Sequence, residues 1–288
     1  QQVYFYTTFF IFLHSVRFYV DNLPVEEKKS VCGENVKLLL DFEDNRNELV
    51  VKTAISGVDM DGAYQNWLAE ADGNDFEKVR LEADRNWNEL LSQIEVYTSD
   101  TKKKELFYTS LHNVMLYPML FSDVVYRFRG PDEQVHQTDG FDYYGAVIGL
   151  WDTFRAACPL AAVLHPGVMG DYVKTALEHD KYAGQLPIWT LSGMATYQMI
   201  GIHSMPLITN CFMNGITDFD VERALEAMVH SAMKDTCGYS MGYFVGLENY
   251  KKYGYVPCDL EMESTARTLE YAFDDEAIAR LAELTGKK

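Results

Sequence analysis

The sequence is short of cations: 25 Lys and Arg stand against 43 Asp and Glu, a formal charge of −18 over 288 residues. So acidic a surface repels phosphate backbones and anionic lipid, which argues against nucleic acid or membrane partners and leaves neutral ligands such as sugars open. Long hydrophobic runs are missing too. The most apolar stretch, residues 3–20, is broken by Thr7, Thr8, His14, Ser15 and Arg17 and falls short of the roughly 20 residues that span a bilayer. No basic segment precedes an apolar one, so no signal peptide is visible, and a chain that opens Gln-Gln rather than Met is expected to have lost its true N-terminus or to be a fragment. Cysteines number five (Cys32, Cys158, Cys211, Cys237, Cys258), an odd and scattered set without Cys-x-x-Cys. That excludes a zinc ribbon or a disulfide framework and predicts free, mostly buried thiols. Absent as well are a P-loop, a dinucleotide fingerprint and His-Glu-x-x-His. Gly238, Gly242 and Gly246 recur without the Lys-Ser/Thr that phosphate binding needs.

What remains is globular: 48 % hydrophobic and 24 % charged residues, enough for one large or two modest domains. Two textures meet near residue 72. Aromatic and β-branched runs at 3–12, 16–20, 36–42 and 49–55, separated by turn-like clusters at 21–24 and 43–47, predict consecutive antiparallel strands. Four strands close a sandwich poorly, so partner strands are expected to be missing. From Asn74 the period becomes helical, with Phe76, Val79, Ala83, Trp87, Leu90, Leu91 and Ile94 on one face and Asn74 and Glu77 as the capping pair. Further helices are predicted at 102–116, 144–165 (interrupted at Pro159), 168–179, 196–214, 221–234 capped by Asp220, and 264–284. Long loops at 121–143, 184–195 and 237–263 are where a helical scaffold places its sites.

Those loops set carboxylates beside aromatics: Asp123, Asp132, Asp139 and Asp142 with Tyr143 and Tyr144, then Trp151-Asp152, Trp189, and Glu261 and Glu263 ahead of Asp274-Asp275. Sugars bind through aromatic faces on their C–H surfaces and carboxylates on their hydroxyls, and glycosidic cleavage needs a paired acid and base. Plainer readings stand beside this. Most of these acids can be solvated loop residues or helix caps, Trp151 and Trp189 core aromatics, and Asp152 the partner of Arg155. His203 among Ile200, Ile202 and Met205 reads as a satisfied core histidine, one of Asp274-Asp275 as internal, and Met199, Met205 and Met213 as packing.

Several strings are recognisable in order from about residue 50 onward: Phe107-Tyr108-Thr109-Ser110-Leu111, Leu120-Phe121-Ser122-Asp123-Val124, Arg127-Phe128-Arg129-Gly130, and Leu150-Trp151-Asp152-Thr153-Phe154-Arg155. After them come Leu186-Pro187-Ile188-Trp189, Met199-Ile200-Gly201-Ile202-His203-Ser204, Gly254-Tyr255-Val256-Pro257 and Glu263-Ser264, leading to Thr268-Leu269-Glu270-Tyr271-Ala272-Phe273-Asp274-Asp275. Together they closely resemble glycoside hydrolase family 92. The resemblance implies calcium-dependent, inverting exo-α-mannosidases, with an N-terminal β-sandwich joined by helices to an (α/α)6 barrel. The fold class expected is therefore α+β: 1–72 as the C-terminal part of a β-sandwich, 73–101 as a helical linker, and 102–288 as the N-terminal half of the barrel. α-Mannosides or N-glycans are the implied substrates, a periplasmic or secreted location the implied setting, and a missing barrel half or self-association the implied partner.

By resemblance, Trp151, Asp152 and Glu263 bind mannose, Trp189 lies in the same site, and Arg129 and Asp132 sit at its rim. Three departures follow. Where the family reads Trp-Glu-Leu-Ala-Gly-Asn-Glu-Thr, this chain reads Trp189-Thr190-Leu191-Ser192-Gly193-Met194-Ala195-Thr196, so Ala195 occupies the expected general-acid position and Thr190 replaces another glutamate. Met262 replaces the histidine of a His-Glu-Ser string. The catalytic aspartate belongs to a segment downstream of Lys288. The calcium ligands are not identifiable from the sequence, and the expected outcome is an incomplete or inactive α-mannosidase homologue, or else a non-catalytic mannoside-binding homologue or decayed fragment.

Overall fold

The computed structural model describes residues 2–26, 30–43, 49–146, 149–196, 198–234 and 245–287. Five strands come first: β1 (Tyr4–Phe9), β2 (Leu13–Val20), β3 (Leu23–Val25), β4 (Val36–Phe42) and β5 (Val51–Ser56). All pair antiparallel, but not in consecutive order. β1 takes β5 as partner, and β2 lies between β3 and β4 in a second sheet. The cluster expected only as a turn does turn, and then continues as β3. Asp21 and Asn22 both have positive φ (51° and 65°), the two-residue geometry whose twist matches its strands. Phe9 and Phe42, with ring centroids 5.2 Å apart, touch between the two sheets.

An unexpected helix, α1 (Met60–Glu70), follows β5, capped by Asp59, which accepts from Gly62 N at 2.7 Å. Tyr64 and Trp67 pack their rings on Tyr6 of β1. Gly62 is needed for a close approach, since a Cβ there would lie 2.1 Å from Asp123 Oδ2. The expected amphipathic helix forms as α2 (Phe76–Leu91), capped by Asp75 rather than Asn74, with Asp75 Oδ1 accepting from Lys78 N at 2.8 Å. Its apolar face is not buried; Phe76 and Val79 instead line an open cavity of about 450 Å³ shared with β5 and α1. α3 (Thr101–Val114) packs back on α2 through Trp87 and His112.

Beyond α3 the chain is not purely helical, contrary to the periodicity. Short ribbons pair β6 (Met119–Leu120) with β9 (Tyr144–Ala146), β7 (Arg127–Arg129) with β8 (Val135–Gln137), and β10 (Thr190–Leu191) with β11 (Met194–Ala195). The helix expected over 144–165 therefore begins as a strand and resumes as α4 (Leu150–Thr153) and α5 (Ala157–Leu164), with Pro159 in α5's first turn, where a missing N–H is harmless. α6 (Pro166–Ala183) follows. Met199 and Gly201 have φ of 73° and 86°, so the helix predicted from 196 starts later, as α7 (Ser204–Met213). α8 (Val221–Met233) begins at Asp220 as expected, α9 (Leu247–Tyr253) was not anticipated, and α10 (Ser264–Leu284) was.

The main core lies among α5, α6, α7, α8 and α10, around Met169, Tyr172, Met205, Ile208, Met228, Tyr271 and Leu281. Cys158 and Cys211 are buried there, and burial pushes their thiols up to about 11 and about 12. Cys32 and Cys258 are exposed, against the expectation of mostly buried thiols, and Cys237 lies outside the described residues. His179 of α6 is fully buried beside the Tyr143 ring, and neither imidazole nitrogen has a partner among the described residues.

A polar clasp ties α1 to the β7–β8 region. Asp123, nearly inaccessible, accepts from Ser56 Oγ and Asn66 Nδ2, both at 3.0 Å. Arg127 forks onto Asp59 at 3.0 Å through both terminal nitrogens. Arg129 donates to the carbonyls of Gly57, Val58 and Glu133. Asp123→Ala strips the buried Ser56 hydroxyl of its acceptor and is expected to destabilise by about 2 kcal/mol, read as a lowered urea midpoint. An unchanged midpoint would show that the clasp contributes nothing.

Candidate functional site

The residues singled out in the sequence lie on three stretches of the chain. The first surrounds Gly149, which precedes α4. A Cβ on Gly149 would lie 3.2 Å from Trp189 Cε3 and 3.3 Å from Asp152 Oδ2, so the indole and the carboxylate approach the same backbone atom. Trp151 and Trp189 are half-buried and Asp152 is exposed. The plain reading of Asp152 as partner of Arg155 fails, because Arg155 turns to Glu270 at 2.9 Å. This leaves the Asp152 carboxylate at the surface on the Trp189 side of Gly149.

The β10–β11 hairpin continues directly from Trp189. Its two turn residues, Ser192 and Gly193, have positive φ, and Gly193 N donates to Gly145 O at 2.7 Å. Thr190 pairs across the hairpin with Ala195. The two positions where the resemblance expects glutamates thus oppose one another, Thr190 fully buried and Ala195 half-buried, and neither side chain can give up a proton near neutral pH.

Glu263 stands on the second stretch, as the residue preceding α10. Its φ of 56° is left-handed, uncommon for a non-glycine residue and a form of strain that tends to occur at functional sites. Its exposed carboxylate meets Arg267 at 3.3 Å. Arg129 and Asp132 form the third. Arg129 is fully committed to the clasp, and Asp132 accepts from Gln134 N and pairs with His136 Nε2 at 3.0 Å. Both hold the β7–β8 turn in shape.

Sequence reasoning missed the group joining α4, α7 and α10. Glu270 lies two helical turns after Glu263 and bridges Arg155 and His203; that seven-residue spacing on one helix was the available signal. His203 is fully buried, and burial lowers its pKa despite the adjacent Glu270. Asp274 is the internal member of its pair. Its Oδ2 accepts from Ile202 N at 2.7 Å, and burial pushes its carboxyl well above the ordinary carboxylate range.

Among the described residues no three of His, Cys, Asp or Glu gather closely enough to hold a metal ion. Those side chains alone therefore do not gather the several oxygen ligands that a calcium ion takes.

A helical scaffold that carries aromatic and carboxylate residues on its loops, beside antiparallel sheets, has the side chains that a sugar site uses. Residues 62–288 match the glycosyl hydrolase family 92 catalytic domain, and the chain belongs to that family. It superposes on a family 92 α-mannosidase of Bacteroides thetaiotaomicron with a TM-score of 0.89 at 36 % identity, over 99 % of this chain and 38 % of that one. An inverting family 92 mannosidase of the same species gives a TM-score of 0.92 at 30 % identity, over 99 % and 39 %. An uncharacterized secreted glycosidase of Arthroderma benhamiae is 22 % identical over 267 residues, 86 % of this chain and 30 % of its own length. The chain thus spans well under half the length of these relatives.

Proposed function

We propose that this chain is the mannoside-binding part of an inverting α-mannosidase, and that on its own it binds α-mannosides or the mannose ends of N-glycans without cleaving them. The observation that carries this is the meeting of Trp189 and Asp152 at Gly149, with Trp151 alongside, in a family whose structures include a complex with mannoimidazole. In this reading the indoles stack on the sugar's C–H face and Asp152 accepts from its hydroxyls, while Glu263 adds a second acceptor from α10. The two N-terminal sheets are the C-terminal part of a β-sandwich (1–72), residues 73–101 its helical linker, and 102–288 half of an (α/α)6 barrel. A periplasmic or secreted setting suits a secreted relative, and no helix among the described residues is long and apolar enough to cross a membrane.

Mannoimidazole is expected to raise the melting temperature of the chain, with a stabilisation near 2.7 kcal/mol when the ligand reaches about a hundred times its Kd. Trp151→Ala and Asp152→Ala should each abolish the rise. A folded chain that shows no rise at any concentration overturns the reading.

A further inference from the structure

We infer that Glu270 and His203 are positioning residues that fix Trp151 through Arg155; this rests on the reading of Trp151 and Asp152 as sugar contacts. The chain of contacts is continuous. His203 Nε2 lies 2.7 Å from Glu270 Oε2, and Glu270 Oε1 accepts from Arg155 Nη2 at 2.9 Å. The Arg155 guanidinium lies 5.5 Å over the Trp151 ring and 4.6 Å over Phe154, which itself stacks on His203 at 4.2 Å. With His203 neutral, the carboxylate selects the tautomer that carries its proton on Nε2. Glu270 therefore takes one donor on each oxygen, which is what a largely buried carboxylate needs.

α4 explains why such a brace is required. It has four residues, and Gly149 offers no side-chain cap, so it cannot hold its own orientation. Arg155, just past its end, is the point where it is tied to α10. Glu270 meets that point from the 21-residue α10 and is itself held by His203, the residue preceding α7, and the guanidinium passes their constraint to the indole. Releasing Glu270 frees Arg155, and Trp151 loses its fixed face.

The chain has four tryptophans, so a 5-fluorotryptophan-labelled sample gives four ¹⁹F resonances, with that of Trp151 assigned by its loss in Trp151→Phe. Glu270→Ala is expected to shift or broaden the Trp151 resonance, leave those of Trp67 and Trp87 in place, and weaken mannoimidazole binding roughly tenfold. Glu270→Gln, whose amide oxygen still accepts from Arg155, should restore most of both. Arg155→Met, at a half-exposed side chain, should move the Trp151 resonance likewise and keeps the test open if Glu270→Ala does not fold. An unmoved Trp151 resonance in these variants, with Asp152→Ala still abolishing binding, overturns this inference and leaves the sugar site standing. Unchanged binding in Trp151→Ala and Asp152→Ala overturns both.

Discussion

Incubated with an α-mannobiose, the purified 288-residue chain is expected to release no mannose above background, with or without calcium. Inverting hydrolysis needs an acid on the glycosidic oxygen and a base roughly 6.5 to 9.5 Å away that activates water. Each positioned proton-transfer group contributes typically 10² to 10⁴-fold. In the proposed reading Ala195 stands where the acid is expected, and Thr190, its partner across the hairpin, cannot supply one. The base is not among the residues of this chain that the resemblance assigns to the site. Ala195→Glu alone should therefore leave turnover at background. Robust release by the unaltered chain, lost in Glu263→Ala, would mean that Glu263 is the acid and that the alignment of Ala195 is wrong.

The second large effect is on acid stability. Burial holds His179 neutral and lowers its pKa to about 4 from an ordinary 6.5. Below pH 6.5 the unfolded chain takes a proton that the folded chain refuses, so stability falls as pH drops from 6.5 and levels off near 4 for this group. A difference of about 2.5 units is worth about 3 kcal/mol. His179→Leu abolishes that share and removes two unpartnered buried nitrogens, so its urea midpoint should fall less between pH 7 and pH 4.5 than that of the parent chain, the remaining fall coming from other buried imidazoles such as His203. Equal losses in both would show that His179 protonates in place without penalty.

Much of this molecule can be read before folding, and the exceptions have physical causes. Helices with a long apolar period, such as α2, α8 and α10, were visible, as were the strand runs. α1 was not, because Gly62 and the polar pair Gln65-Asn66 interrupt its pattern for the sake of contacts with Asp123 and the sheet. The ribbon strands β6 to β11 are two or three residues long, too short for alternation to register. Pairing of β1 with β5 depends on tertiary closure and leaves no local signal. Trp151, Asp152 and Trp189 stood out by residue type. Gly149 and the Glu270–His203–Arg155 brace did not, since each depends on neighbours that only the fold brings near.

The clasp at Asp123 has a kinetic consequence. Its bonds join residues 57 to 72 positions apart, from Asn66–Asp123 to Arg129–Gly57. The α2–α3 packing between them is local and can form early, whereas the clasp must first overcome the loop-closure entropy of the whole intervening chain. Final seating of α1 is then a late event in assembly, waiting on the β7–β8 ribbon. Weakening Asp123, Arg127 or Arg129 should mainly speed release of this end of the molecule, and hydrogen exchange should show α1 opening before α6.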